Sequence, residues 1–115
     1  MSHYHDPSDA DYDKVYAAET PDLLKAFGRF DAAVFAPEGR ALDLKHRELI
    51  AVAVALTTQC VYCIEFHSQN AMKAGATTAE LAEASWVATA IRAGGGFAHG
   101  RLAFKYAGQT DVTTS

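Results

Sequence analysis

Leu44-Lys45-His46-Arg47-Glu48-Leu49-Ile50-Ala51-Val52-Ala53-Val54-Ala55-Leu56-Thr57 is the stretch on which the fold turns. Its first turn is polar, and from Leu49 onward it is apolar all round, which predicts burial on every side. The β-branched Ile50, Val52 and Val54 permit a buried strand. Alanine alternates with them, however, and no hairpin signal flanks the run. The reading is therefore a helix, with Asp43 as its cap, and that choice makes the chain all-α.

The neighbouring segments agree. A short break at Thr58-Gln59 precedes a predicted helix from about Cys60 to Ala74, ended by Gly75. Thr77-Thr78-Ala79-Glu80 is a capping box. It opens a helix through Leu81, Trp86 and Ile91 to about Ala93, where Gly94-Gly95-Gly96 breaks it or allows close helix contact. A last helix is predicted from Phe97 to Tyr106, ending near Gly108. Upstream, Thr20-Pro21-Asp22 offers a hydroxyl cap, proline at the first helical position and an acid near the positive helix end. That helix is expected to reach about Ala36, stopped by Pro37 and Gly39. Residues 1–19 are polar without a sustained period and are expected to lie on the surface or fray, as is the polar tail 109–115. No strand pair, repeat or low-complexity segment is evident. The expectation is one all-α domain over residues 1–115, of about five to six helices. Phe97, Leu102, Phe104 and Tyr106 surround most of the last helix, so part of that surface is expected in a subunit interface. Trp86 is expected in the core.

Composition narrows the function classes. The chain has 115 residues and a net charge of −4, with Asp6, Asp9, Asp11 and Asp13 crowded near the start. No basic cluster is present, which argues against nucleic acid as a partner. No basic segment followed by an apolar run opens the sequence, so no signal peptide is expected. The longest apolar run, Leu49 to Leu56, is too short to span a bilayer. A cytoplasmic protein without a membrane partner is the expectation. Cys60 and Cys63 are the only two cysteines, too few for a disulfide scaffold. A Cys-x-x-Cys pair in a cytosolic chain points to redox or metal chemistry.

The motif reads Gln59-Cys60-Val61-Tyr62-Cys63-Ile64-Glu65-Phe66-His67. On a helical wheel Cys60, Cys63, Ile64, His67, Asn70, Ala71 and Ala74 share one face, opposite Tyr62, Glu65, Gln69 and Lys73. Cysteines three apart at a helix start reach disulfide geometry. A protonated thiol is a poor nucleophile, and an adjacent base changes that. His67 is four residues after Cys63, one turn away, which favours Cys63 as the activated thiol and Cys60 as its disulfide partner. The competing argument is that Cys60, nearest the helix start, feels the backbone dipole most. If the helices 44–57 and 60–74 fold back about residues 58–59, Glu48 comes within about a turn of His67. There it could orient the imidazole; alternatively it ends a polar run and is solvated. Redox chemistry is the leading reading. Zinc binding, with Glu48 as a further ligand, and inert buried cysteines are the alternatives. His46 and His99 read as surface or satisfied histidines.

These residues resemble a known family. Leu44 to Ala53 is similar to the helix preceding the active site of AhpD-type alkylhydroperoxidases, within the carboxymuconolactone decarboxylase superfamily. Glu48, Cys60, Cys63 and His67 reproduce its Glu-x11-Cys-x2-Cys-x3-His spacing, and the likeness spans roughly residues 22–107. The resemblance implies an all-helical homo-oligomer, a trimer or hexamer, that reduces peroxides with a thiol pair and no cofactor or metal. It makes Cys63 the attacking thiolate, His67 its base, Glu48 the relay carboxylate and Cys60 the resolving thiol. The resulting disulfide would be re-reduced by a dithiol such as a lipoyl group, or by a partner redox protein. The best-known members place a second histidine immediately before the later cysteine; here Tyr62 stands there. The superfamily's decarboxylase branch lacks the thiol pair, which makes a cofactor-free lactone decarboxylase or lyase the weaker reading.

Overall fold

Asp43 fixes where the central helix begins. Its extended backbone turns the carboxylate onto the His46 N–H at 2.8 Å, satisfying one of the donors a helix start leaves open. That hydrogen bond, with a second from the His46 side chain, holds the Asp43 carboxyl below its ordinary value. The computed structural model describes residues 5–109 and 111. The tail expected over 109–115 lies outside them, except Gln109 and Asp111, as do Met1 to Tyr4.

The described residues form five α-helices, α1 (Asp13–Glu19), α2 (Pro21–Val34), α3 (Leu44–Thr58), α4 (Val61–Lys73) and α5 (Thr78–Tyr106), preceded by a 3-10 helix Pro7–Tyr12. No strand occurs among the described residues, and the fold is all-α as expected. α3 is central and packs against both α4 and α5. The core between them is made of small side chains, with Val52 and Ala55 on α3, Ala71 on α4, Ala76 in the following turn and Ala88 on α5. Such residues let helix axes approach closely. Gly75 adopts φ 101° and reverses the chain after α4, a conformation glycine takes without Cβ strain. Thr77 and Glu80 then form the predicted reciprocal capping box. Lys45 pairs with Glu80 at 3.0 Å, and Arg92 donates to the Thr57 carbonyl. These two contacts tie α5 to both ends of α3.

Several expectations need correction. Residues 7–19 do lie on the surface, but as helix rather than frayed chain. The sequence Asp6-Pro7-Ser8-Asp9 closes its own capping box. Thr20 precedes α2, but its hydroxyl donates back to the Tyr16 carbonyl instead of capping forward, and α2 ends at Val34, two residues early. The triple glycine does not divide the last segment, because α5 runs unbroken through Gly94-Gly95-Gly96. Each glycine costs about 1 kcal/mol relative to alanine, which a helix of 29 residues with capped ends absorbs.

The largest departure concerns burial. α3 is not enclosed on every side, since Ile50 and Val54 are 50% and 53% exposed. Trp86, expected in the core, is 71% exposed. The chain measures 63 × 37 × 36 Å with a radius of gyration of 19.7 Å, against about 13 Å for a compact chain of this length. Its accessible surface is 9122 Å², whereas a compact monomer of this mass exposes about 6,100 Å². One copy leaves open much of the apolar surface that the sequence carries.

Candidate functional site

The turn between α3 and α4 builds the thiol pair. Gln59 takes the left-handed conformation, φ 58°, and ends α3. The Cys60 N–H then closes on the Ala55 carbonyl at 3.1 Å. Cys60 is not the first residue of α4, as its position on the wheel implied, but the cap before it. Its backbone is extended and its Sγ accepts the Cys63 N–H at 3.3 Å. The cap geometry folds the two side chains toward each other. Cys60 and Cys63 form a disulfide with Cα atoms 5.2 Å apart, within the range such bonds span.

One turn beyond Cys63, the His67 Nδ1–H donates to Glu48 Oε2 at 2.7 Å. The fold-back of α3 on α4 accounts for this pairing across 19 positions. Glu48 is 3% exposed, so it is a buried, paired carboxylate and not the solvated end of a polar run. A carboxylate removed from water is tolerated because the imidazole N–H satisfies it. The bond also settles the imidazole's orientation. With Nδ1 occupied, Nε2 is the atom left to exchange a proton. Phe35 lies over the imidazole at 4.6 Å between centroids, and Phe66 meets it edge-on at 5.1 Å. These rings lock the side chain in place.

Cys63 and His67 line one cavity of about 340 Å³ whose other walls are mostly apolar, with Val34, Phe35, Ile50 and Val54 beside Thr58. Arg47 borders it, with its guanidinium held in place by the backbone. Nε donates to the Leu42 carbonyl at 3.0 Å, Nη1 to Val34 at 2.7 Å and Nη2 to Ala36 at 2.6 Å. The planar fork clamps the connection between α2 and α3 onto the start of α3. A second cavity of about 310 Å³ lies beyond Phe35 and is of mixed character, with Glu48, Asp31, Asn70 and Lys73 beside Phe35, Leu44 and Phe66. The Glu48–His67 pair therefore stands between two cavities, the second of them carrying further charged side chains.

Tyr62 points away from this arrangement. Its hydroxyl donates to Asp9 Oδ2 at 2.7 Å, and the His5 ring meets it edge-on. The N-terminal segment is thereby fastened to the outer side of α4. His46 is exposed and pairs with Asp43, and His99 lies against the Gly95 carbonyl. Neither lines the cavity that holds Cys63. Among the described residues, no three His, Cys, Asp or Glu side chains are grouped as a metal ion would require. None of the described helices is long and apolar enough to cross a membrane.

Sequence reasoning picked out the four motif residues and missed Phe35 and Arg47. Phe35 sits just past the end of α2, and its partner is 32 positions away, so no local spacing announces it. Arg47 belongs to a polar first turn that reads as solvated.

Comparison with known proteins agrees with this architecture. The model of the carboxymuconolactone decarboxylase family matches residues 21–106. An uncharacterized protein of the cox locus of Paracoccus denitrificans is 45% identical over 86 residues, 75% of this chain and 76% of the relative. An uncharacterized protein of Haemophilus influenzae is 51% identical over 51 residues, 44% of this chain and 43% of its own. Among solved structures, the apo form of a carboxymuconolactone decarboxylase family protein from Legionella pneumophila superposes with a TM-score of 0.65 at 36% identity, covering 73% of each chain. A protein from Methanobacterium thermoautotrophicum gives 0.69 at 36% identity, covering 77% of this chain and 98% of its own. With the family model matched from α2 to the end of α5, this chain belongs to the carboxymuconolactone decarboxylase family.

Proposed function

We propose that the chain is a thiol-dependent peroxidase of the alkylhydroperoxidase type. The observation that carries this reading is that Cys63, half of a disulfide pair, shares an apolar cavity with His67, whose far nitrogen is held by the buried Glu48. In the reduced protein, His67 Nε2 takes the Cys63 proton. The thiolate attacks the outer oxygen of R–O–O–H, and the O–O bond breaks. The alkoxide leaves with the proton returned by His67, and Cys63 becomes a sulfenic acid. Cys60 then attacks the Cys63 sulfur. Hydroxide departs as water with the second thiol proton, and the disulfide closes. Two electrons have passed from the thiols to the peroxide. A dithiol reductant, such as a lipoyl group or the thiol pair of a partner redox protein, restores the starting state.

The cavity favours this reading over a lactone decarboxylase. A carboxylate-bearing lactone calls for a cationic anchor, and Arg47, the cation bordering the cavity, already gives three of its five N–H donors to backbone carbonyls that fix its orientation. The deciding experiment treats reduced protein with tert-butyl hydroperoxide and maps the thiols by non-reducing peptide mass spectrometry. A Cys60–Cys63 disulfide is expected as the first product; thiols that stay reduced while peroxide persists would sink the proposal.

Assembly into a homo-oligomer, a trimer or hexamer, is part of the same reading. Trp86, Phe97 and Phe104, which fall on one side of α5, are all mostly exposed in one copy, a row of large apolar side chains of the kind an interface covers. Sedimentation equilibrium at micromolar concentration is expected to give a multiple of the 12.3 kDa chain mass; a monomer there rules this part out.

A further inference from the structure

The charge that forms on His67 is in a place where water does little for it. When Nε2 takes the Cys63 proton, the imidazole becomes a cation on a side chain that is only 13% exposed. A charge so placed is costly unless neighbouring groups compensate it. Glu48 does so in the plane of the ring, at Nδ1. Of the other charged groups around the pair, Arg47 borders the cavity of Cys63 and His67, and Asp31 and Lys73 line the second cavity with Glu48. The flat of the imidazole is met by Phe35, with ring centroids 4.6 Å apart and planes tilted by 30°.

A phenyl face carries partial negative charge and attracts a cation lying over it within about 6 Å. A leucine in the same place would exclude water as well but offer no such charge. The backbone holds Phe35 where its face is of use. Phe35 ends α2 with φ −104° and ψ 23°, and Arg47 grips the chain on both sides of it. Nη1 donates to the carbonyl of the preceding residue, Val34, at 2.7 Å, and Nη2 to that of the following residue, Ala36, at 2.6 Å. Phe35 also lines both cavities, so it stands as a wall between the space of Cys63 and the space of Glu48.

We propose that Phe35 is a positioning residue of the thiol site, whose π face supports the imidazolium of His67, and that Arg47 acts through Phe35 by fixing that ring over the imidazole.

This inference rests on His67 serving as the base of Cys63, and it adds two residues to that reading. The proton passes from Cys63 Sγ to His67 Nε2. Phe35 takes no part in the transfer and alters only how much of the pair stands as thiolate and imidazolium. The contribution of Arg47 is orientation, since a second cation beside the imidazolium would by itself oppose it. Lysine keeps the charge but lacks the planar fork that spans two carbonyls.

The test reads the thiol without peroxide. In the Cys60→Ser protein Cys63 is the sole cysteine, and its alkylation by iodoacetamide is followed by intact mass from about pH 5 to pH 10. Phe35→Leu in that protein is expected to slow alkylation roughly three- to tenfold near neutral pH. The two rates are expected to converge at high pH, where the thiol ionises without help. Phe35→Tyr, which keeps the aromatic face, is expected to retain the parent profile. A Phe35→Leu profile that superposes on the parent, or one lowered equally at every pH, overturns the proposal, because a merely structural wall changes access and not ionisation. A Phe35→Tyr profile like that of Phe35→Leu overturns it too. Arg47→Lys is expected to give the Phe35→Leu profile, and the double variant to be no slower than the slower single one. Losses that multiply would mean that Arg47 acts apart from Phe35. The two Phe35 variants decide the role of the ring whether or not Arg47→Lys folds. If the parent consumes no peroxide while Phe35→Leu displaces the alkylation profile, the peroxidase reading falls and this inference stands. Peroxide consumed with the profile unmoved has the opposite meaning.

Discussion

Cys63→Ser is expected to abolish peroxide consumption down to the uncatalysed background, whereas Cys60→Ser is expected to keep the first oxidation and lose the second. The asymmetry follows from position. Only Cys63 shares a cavity with His67, so only its thiol has a base within one helical turn. A serine hydroxyl there is far less acidic than a thiol and does not attack the O–O bond. With Cys60 replaced, Cys63 still becomes a sulfenic acid, but nothing within the chain condenses with it. It is then open to a second peroxide and the irreversible sulfinic state. Intact-mass measurement separates the cases, since Cys60→Ser gains one and then two oxygen masses on Cys63 while Cys63→Ser gains none. If Cys60→Ser stays unoxidised and Cys63→Ser accumulates sulfenate, the roles are reversed and the helix dipole outweighs the imidazole. Turnover of a lactone that survives Cys63→Ser would point to the decarboxylase branch instead.

The parts of the structure that were legible in the sequence are those written in short periods. Asp43, Gly75 and the Thr77–Glu80 box are each read over four residues or fewer, and all three mark real helix boundaries. The Glu48–His67 pairing spans 19 positions, but a single register calculation reaches it once the turn at 58–59 is recognised. Phe35 was illegible because its place over His67 depends on how α2 arrives, and that is governed by the hold of Arg47 on three carbonyls. The unbroken α5 was missed for a different reason. Three adjacent glycines weaken a helix without forbidding it, and a continuous backbone ladder between capped ends outweighs the loss. The helical start at residues 7–19 had a readable signal, the Asp6-Pro7-Ser8-Asp9 cap, hidden by the absence of an apolar period.

The error about burial has one physical source. A helix apolar on every side must be covered on every side, and the inference assumed that this chain supplies the cover. Ile50 and Val54 show that it does not. These are also walls of the cavity that holds Cys63. The cover over the site and the cover over the apolar surface are thus the same physical requirement. On the proposed assembly, a neighbouring copy excludes water from the thiol as well as from α3.

His67→Ala is expected to cost both activity and stability, and the two losses are separable. Removing a general base slows the assisted step by about 10²–10⁴-fold, so thiol oxidation by tert-butyl hydroperoxide should fall by that order in stopped-flow measurements. The same change strips Glu48 of its partner at 3% exposure. Breaking a buried pair from one side costs about 3–5 kcal/mol, and loss of the ring packed against Phe35 and Phe66 adds to it. Urea unfolding reads this second loss. Glu48→Leu in the His67→Ala background removes the orphaned charge and is expected to recover a large part of the stability while leaving oxidation as slow as before. Glu48→Gln alone is expected to keep the fold and slow oxidation by a smaller factor, because an amide still occupies the place but no longer balances the imidazolium formed when Cys63 gives up its proton. A double-mutant cycle over the two positions isolates the coupling. If the double variant regains its rate together with its stability, the pair is structural cement and another group activates Cys63. If His67→Ala unfolds no more easily than the wild type, Glu48 is not the buried paired carboxylate on which the relay depends.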